Sequence, residues 1–293
     1  MTLNRRILVT GASSSLGQAI GREIKLQGHY AIGTVRRDPT GIDLSMFDRI
    51  THVDLTRPDD IQTLDFAFDS VIHVAAQSVG THRDLMTSVA LSTGWLIDRA
   101  LKSGAGSCIH VSSMAVYGEV SEDVVSPSTP IRHSRPYGAA KWAAECFLHN
   151  RRMELPAVSV RSPAIVGRQS HRNFLAVLLQ SLIEQREVIT VSNPNFPFNN
   201  VIHEDNMAEF LVHLAVTTSG GFAAFPVGSS QPLKLSEIVK RMTEATNYQG
   251  RINWVPAPSR PFSISIDDAR LLGFRPLTTD ETLNRWLWNV LKL

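Results

Sequence analysis

Ile7-Leu8-Val9-Thr10-Gly11-Ala12-Ser13-Ser14-Ser15-Leu16-Gly17-Gln18-Ala19-Ile20 reads as an apolar strand, a glycine turn and the start of a helix. Such a turn aims unpaired amides and the positive end of a helix dipole at one point, a ready site for a diphosphate. Outward from it, short apolar strands alternate with helical stretches, the pattern of a doubly wound parallel α/β sheet. Strands are expected near 6–10, 29–35, 50–53, 70–74, 107–112 and 157–161, and helices near 15–27, 58–65, 82–103 and 136–153. The strands are near-continuous apolar runs such as Ser70-Val71-Ile72-His73-Val74-Ala75, as expected of strands covered on both faces.

The texture changes after Pro163. A helix over Asn173–Gln185, a strand over Glu187–Val191 and a Pro/Asn-rich loop over Asn193–Asn200 come first. A helix at Glu204–Thr217, strands near 222–227 and 252–254 and a helix at Leu235–Thr246 follow. The expected division is a dinucleotide-binding domain over 1–165 and a smaller, interleaved lobe over 166–293, with some of its segments returning to the sheet. The 293 residues can bury a large core. A net charge of +2 without a basic run gives no footprint for nucleic acid. Cys108 and Cys146 form neither a disulfide framework nor a metal-ligand spacing. No apolar run reaches the ~18 residues of a membrane helix, so a cytoplasmic protein is expected.

A second pattern lies in Tyr137-Gly138-Ala139-Ala140-Lys141, which sets a phenol and an ammonium one helical turn apart. A nearby ammonium lowers a phenol's pKa and lets it trade a proton with a carbinol or carbonyl oxygen. Upstream, His110-Val111-Ser112-Ser113-Met114-Ala115-Val116-Tyr117-Gly118 supplies a hydroxyl after an apolar strand. Strand alternation points Ser113, not Ser112, into the cleft. The ordered trio of glycine turn, serine and Tyr-x-x-x-Lys resembles the short-chain dehydrogenase/reductase superfamily, in its extended branch of nucleotide-sugar epimerases, dehydratases and ketoreductases.

The resemblance implies a Rossmann-type fold and a catalytic set of Ser113, Tyr137 and Lys141, with Tyr137 as acid/base and Lys141 also contacting the nicotinamide ribose. Gly11, Ser13, Ser14, Ser15, Leu16 and Gly17 are then the diphosphate turn. Ser14 replaces the middle glycine of the family's Gly-x-x-Gly-Phe-x-Gly, and its hydroxyl can donate to phosphate. Arg36 and Arg37 end the second strand, where arginine accommodates the 2′-phosphate of NADP(H); Asp38 beside them keeps NAD(H) as the alternative. Asp54 fits an adenine contact, or else a helix cap, with Leu55 beside the ring. Ala75 and Ala76 let the cofactor pass close, His73 is a satisfied core histidine, and the Pro163–Val166 backbone faces the carboxamide.

For the substrate, Met114 and Ala115 stand where the related 4,6-dehydratases carry an Asp-Glu pair, and neither moves a proton. Ser113, Met114 and Tyr137 are expected to line the sugar. Asn173 is either a helix cap or a diphosphate contact, or both. Arg168, Arg172 and Arg260 are clamp candidates, and Asn199 or Asn200 replaces a family arginine. His203 is left undecided. The first reading is an NADPH-dependent reductase of a nucleotide-linked 4-keto-6-deoxy sugar serving polysaccharide synthesis. Its alternatives are an NAD-dependent C4 epimerase, a reductase of a non-sugar ketone or aldehyde, and a non-catalytic dinucleotide sensor. Apolar residues on the 82–103 and 136–153 helices (Leu85, Val89, Trp95, Leu96, Trp142, Phe147 and Leu148) imply a homodimer.

Overall fold

A computed structural model describes residues 4–37, 40–256 and 260–292, so Asp38 lies outside the described residues. In chain order the elements are β1 (Arg6–Thr10), α1 (Ser15–Leu26), β2 (Tyr30–Val35), β3 (Arg49–His52), α2 (Pro58–Gln62), β4 (Ser70–His73), α3 (His82–Leu85), a π-helical turn (Met86–Leu91), α4 (Ser92–Lys102) and β5 (Ser107–Ser113). A 3₁₀ turn (Met114–Tyr117), β6 (Val124–Val125), α5 (Pro136–Asn150), β7 (Ala157–Ser162), β8 (Ala164–Val166) and α6 (Phe174–Ile183) follow. The remainder comprises β9 (Val188–Ser192), β10 (Pro197–Phe198), β11 (Val201–His203), α7 (Glu204–Thr217), β12 (Phe222–Pro226), β13 (Leu233–Lys234), α8 (Leu235–Ala245), β14 (Arg251–Val255), β15 (Ser263–Ile264), α9 (Asp267–Leu271) and α10 (Thr279–Leu291).

The chain divides into two compact units. The first comprises 1–119, 130–161 and 207–225, and the second 120–129, 162–206 and 226–293. The crossing therefore falls at Ser162 rather than at 166, and a short excursion at 120–129 precedes it. In the first unit a seven-stranded sheet has the order β12-β7-β5-β4-β1-β2-β3. β1 pairs in parallel with both β2 and β4, so the strand order reverses beside β1. A doubly wound sheet opens a ligand crevice at the carboxyl ends of its strands where the order reverses. Burial explains the strand composition: every residue of β4, and all of β5 except its last, is withdrawn from solvent. Leu8, Ile32, Val71 and Cys108 of the sheet pack with Ile61, Leu96, Ile97 and Leu148 of the helices. Cys108 is thus a small core hydrophobe.

The helical run from His82 to Lys102 opens with a reciprocal Thr81–Asp84 cap and widens into the π turn. On its inner face Leu85 and Val89 pack against Ala140 and Tyr137 of α5.

The second unit packs α6, α8 and α10 through Leu175, Leu179, Leu182, Ile238, Met242, Leu283 and Trp286. Its parallel pairs are β8 with β11, β9 with β14 and β6 with β15, while β10 and β13 run antiparallel.

Candidate active site

Gly11 adopts φ +73, and a Cβ there would come within 3.2 Å of the Ala75 backbone. Glycine thus lets the turn after β1 close against the segment after β4. Ser14 caps α1 in extended backbone (φ −73, ψ 158), a conformation any residue adopts. Its Oγ accepts from Gly17 N at 3.0 Å and donates to Gly11 O at 2.8 Å. The Ser14 hydroxyl thus closes the turn on itself in this structure.

A cavity of about 690 Å³ opens at this edge of the first unit. Among the expected cofactor residues, Gly11, Ser13, Ser14, Arg36, Asp54, Leu55, Ala75 and Ala76 line it. Ser15, Leu16, Gly17, Arg37, Tyr137, Lys141, Pro163 and Val166 are not among its lining residues; the Leu16 side chain is buried and Arg37 is exposed. Thr34, Val35, Val53, Thr56, Val74, Gln77 and Ser88 line it as well. Most are immediate neighbours of expected residues and could have been found from the strand ends; Ser88 sits in the π turn, which the sequence pattern does not announce. The Asp54 carboxylate accepts from Thr56 N at 3.0 Å and Thr56 Oγ1 at 2.7 Å, so it organises the turn before α2 while facing the cavity. Burial would raise its pKa, but the Thr56 hydrogen bonds and the charges of Arg36 and Arg57 hold it below the usual value.

Behind the cavity the sheet carries a chain of buried polar groups. Thr10 Oγ1 accepts from the amides of Val74 and Ala75, each at 3.1 Å, and its hydroxyl meets His73 Nδ1 at 2.7 Å. His73 Nε2 lies 3.1 Å from Thr93 Oγ1, whose hydroxyl donates to Val89 O at 2.6 Å. The His73 ring stacks on His110 with centroids 5.7 Å apart. His73 is therefore a satisfied core histidine, as expected. Burial, reinforced by the charge of Lys141, lowers its pKa to about 3.

Ser112 and Ser113 diverge as strand alternation requires. Ser112 Oγ donates to the buried carboxylate of Glu145 at 2.6 Å, while Ser113 lies against the Tyr137 phenol and accepts from Ala115 N at 3.1 Å. Gly138 makes the approach possible, because a Cβ there would collide with Ala115 O, so only glycine lets α5 lie against the 3₁₀ turn. Lys141, one turn along, is 1% exposed and its Nζ donates to Val111 O at 2.6 Å. Met114 follows Ser113 at the start of the 3₁₀ turn, and Tyr117 packs beneath the Arg161 guanidinium at 4.8 Å.

The electrostatics differ from the expectation of a depressed phenol. Burial pushes Tyr137 up to about 12, opposed by its Ser113 hydrogen bond. Burial pushes Lys141 down to about 7, opposed by the Glu145 charge. The Lys141 ammonium donates to Val111 O of β5.

The remaining candidates belong to the second unit. Asn173 caps α6, accepting from Ala176 N at 2.9 Å, and its Nδ2 donates to Ile165 O at 3.0 Å. Asn199 is buried, with Nδ2 donating to Ile264 O at 2.8 Å and Ser229 O at 3.2 Å and Oδ1 accepting from Ile264 N at 2.8 Å. It thereby staples three segments of the second unit. Arg260 is committed to Asp123 through Nε at 3.0 Å and Nη2 at 2.7 Å. Arg172 is exposed, Pro163 is half-buried, and Val166 is buried in β8. His203 is buried; its Nδ1 accepts from Asp205 N at 3.2 Å, and burial lowers its pKa to about 4 against the opposing charge of Asp205. Among the described residues no cluster could hold a metal, and no helix is long and apolar enough to cross a membrane.

A doubly wound sheet with a diphosphate-ready turn at its switch point, and a Ser–Tyr–Lys set beyond it, defines the short-chain dehydrogenase/reductase kind of dinucleotide-dependent enzyme. Residues 7–223 match the NAD dependent epimerase/dehydratase family, and the chain belongs to that family. A UDP-glucose 4-epimerase from Streptomyces lividans is 23% identical over 322 residues, covering 98% of this chain and 97% of the epimerase. A dTDP-D-glucose 4,6-dehydratase from Mus musculus is 25% identical over 229 residues, which cover 71% of this chain and 63% of the mouse protein, just under two thirds of its length. Among solved structures, MoeE5 in complex with UDP-glucose and NAD superposes with a TM-score of 0.80 at 22% identity, covering 97% of this chain and 98% of that one. At that identity the likeness establishes the shared fold.

Proposed function

We propose that the protein moves hydride between a nicotinamide dinucleotide and a carbinol or carbonyl carbon of a nucleotide-linked sugar. The observation that carries this reading is the Ser113 side chain against the Tyr137 phenol, with Lys141 one turn beyond. The cavity suits a dinucleotide: Gly11 leaves the turn open where a Cβ would crowd Ala75, and Asp54 and Arg36 stand at the far strand ends. When bound, the dinucleotide supplies or accepts the hydride. Tyr137, a phenol held protonated, gives its proton to the reacting oxygen in the reductive direction, and Ser113 steadies that oxygen as charge develops. Lys141 offers its ammonium to the ribose.

Dehydration is disfavoured even though the mouse relative is a dehydratase. Elimination of water needs a further acid and base, and Met114 and Ala115 after Ser113 supply neither. Between the remaining reactions, Arg36 at the cavity favours NADPH and therefore net reduction of a 4-keto-6-deoxy sugar. The second reading is NAD-dependent C4 epimerisation, favoured by the end-to-end likeness to the Streptomyces epimerase and by the position of Arg37 away from the cavity. Work in the cytoplasm is part of the same proposal.

Mixing the protein with NADPH and a panel of nucleotide 4-ketosugars, while following reduced-cofactor absorbance, separates them. Stoichiometric loss that requires the ketosugar supports reduction. Isomerisation of a nucleotide sugar without net cofactor loss supports epimerisation, and no turnover with either overturns the proposal. Titration of NADPH and NADH against wild type and Arg36→Ala tests the cofactor assignment. Loss of a charge-assisted contact should weaken NADPH about ten- to a hundredfold and leave NADH nearly unchanged.

A further inference from the structure

Lys141 is one of the largest fully buried side chains in the molecule, yet it is ionisable. An ammonium has three donors and no acceptor, and a buried one needs partners for them. Val111 O takes one at 2.6 Å, and His110 Nε2 lies 3.3 Å from the same nitrogen. On its other side, His110 Nδ1 lies 3.2 Å from Ser159 Oγ. Both His110 and Ser159 are sealed from solvent at 0% exposure.

We propose that His110 is a positioning residue for Lys141, its unprotonated Nε2 accepting from the ammonium while Nδ1–H donates to Ser159. The inference rests on the reading of Lys141 as the cation of the site. The tautomer follows from the partners. A neutral imidazole has one N–H, and an ammonium can only donate, so Nε2 must accept and Nδ1 must carry the proton. The stacked His73 is fixed the opposite way. Thr10 already accepts two backbone amides and gives its proton to Nδ1, leaving Nε2–H for Thr93.

The ionisable surroundings favour a neutral His110. Burial and the charges of Lys141 and His73 hold its pKa well below 6.5. Lys141 itself is faced by Glu145 on α5, one turn on from it as Tyr137 is one turn before, by His110 on β5 and by His73 on β4, with Arg161 of β7 paired to Glu145 at 2.7 Å. Because Arg161 already holds Glu145, a neutral acceptor at 110 is what supplements Val111 O. Accepting from the charged form stabilises it, so His110 raises the Lys141 pKa, and removing the acceptor lowers it.

The test uses the protein without cofactor or substrate, so it stands or falls independently of which reaction is catalysed. Long-range ¹H–¹⁵N correlation on histidine-labelled protein reads each tautomer, and ¹⁵Nζ or ¹³Cε shifts of labelled lysine read the Lys141 titration. Between about pH 5 and 6, where Lys141 is still an ammonium, His110 should remain the Nδ1–H tautomer and His73 the Nε2–H tautomer, neither becoming protonated. His110→Leu should lower the Lys141 midpoint by about one unit, roughly tenfold less ammonium at a fixed pH. His110→Gln, whose amide oxygen can take the place of Nε2, should restore most of that shift. Ser159→Ala leaves the ammonium donating to Nε2, so His110 should keep its Nδ1–H tautomer; scrambling there would mean that Ser159 and not Lys141 sets it, and would overturn the proposal. An Nε2–H tautomer at His110 in wild type, its protonation near the ordinary histidine value, a Lys141 midpoint unmoved in His110→Leu, or one in His110→Gln as low as in His110→Leu overturns the proposal. If His110→Leu does not fold, the wild-type tautomer and Ser159→Ala decide it.

Discussion

Gly138 sits between the two residues proposed to do the chemistry, and its missing side chain is what seats α5 on the 3₁₀ turn beside Ser113. Gly138→Ala should push the helix away, cost about 1–3 kcal/mol through overpacking and lower turnover more than dinucleotide affinity. Thermal melts with parallel turnover and binding assays check this. At the neighbouring position, Tyr137→Phe deletes only the ionisable oxygen. Turnover should fall by at least about a hundredfold while the dinucleotide still binds. Lys141→Ala should damage both, and near-normal turnover in folded Tyr137→Phe would sink the mechanism. Ser14 teaches a different lesson. A serine where the family pattern has glycine is readable as a variant turn from sequence, but that its hydroxyl closes the turn from Gly11 O to Gly17 N depends on three-dimensional geometry.

At the scale of elements, α5 is held to the sheet by a buried ion pair as well as by apolar packing. Arg161 of β7 donates to both Glu145 oxygens, at 3.1 and 2.7 Å, and Ser112 of β5 donates to the same carboxylate. Removing one partner strands a buried charge, so Arg161→Ala should cost about 3–5 kcal/mol in denaturant unfolding. The paired change Glu145→Leu with Arg161→Met should cost less than either single loss. The strands and helices of the first unit were legible because each buried strand is a continuous apolar run and each helix has its own period. The two- and three-residue strands such as Val124–Val125 and Pro197–Phe198 were not, since pairs that short carry no period. α10 was missed despite a readable signal: Thr278 and Glu281 cap one another ahead of Leu283, Trp286, Leu287 and Val290. The serine–tyrosine–lysine set was legible as an ordered motif. The hydrogen bonds of Asn199 to Ile264 and of Arg260 to Asp123 were not legible, because those partners lie far away in sequence.

For the whole molecule two expectations follow, one of assembly and one of acid stability. Leu85, Val89, Leu96 and Leu148 proved to be core, but Trp142 is 46% exposed, and Leu91, Trp95 and Phe147, together with Asp98, Asn150 and Arg151, line a hollow of about 280 Å³ formed by the π turn, α4, α5 and the residue after it. We expect a homodimer through this face, with Trp142→Glu shifting the light-scattering mass to that of the monomer; a monomeric wild type at working concentration counts against it. Acid stability follows from histidines buried neutral. Burial holds His73 at about 3 and His110 well below its ordinary value in the first unit, and His203 at about 4 in the second. Their folded values lie below the unfolded one, near 6.5. As pH falls through 6.5 the unfolded chain takes protons that the native state refuses, so stability present above that pH drains away below it. Between about pH 6.5 and 5.5 each histidine withdraws about 1 kcal/mol, hence about 2 from the first unit and about 1 from the second. Lys141, held near 7, contributes in the same sense but mainly above neutrality. The carboxylates lowered by their partners, Asp54 and Glu281 among them, start from ordinary values of 3.8 and 4.5 and act at lower pH. Denaturant unfolding at the two pH values should show this loss, and His110→Gln should remove about half of the first unit's share, because glutamine has no proton to refuse. A stability flat across that interval would mean that water reaches these imidazoles or that the unfolded chain protects them.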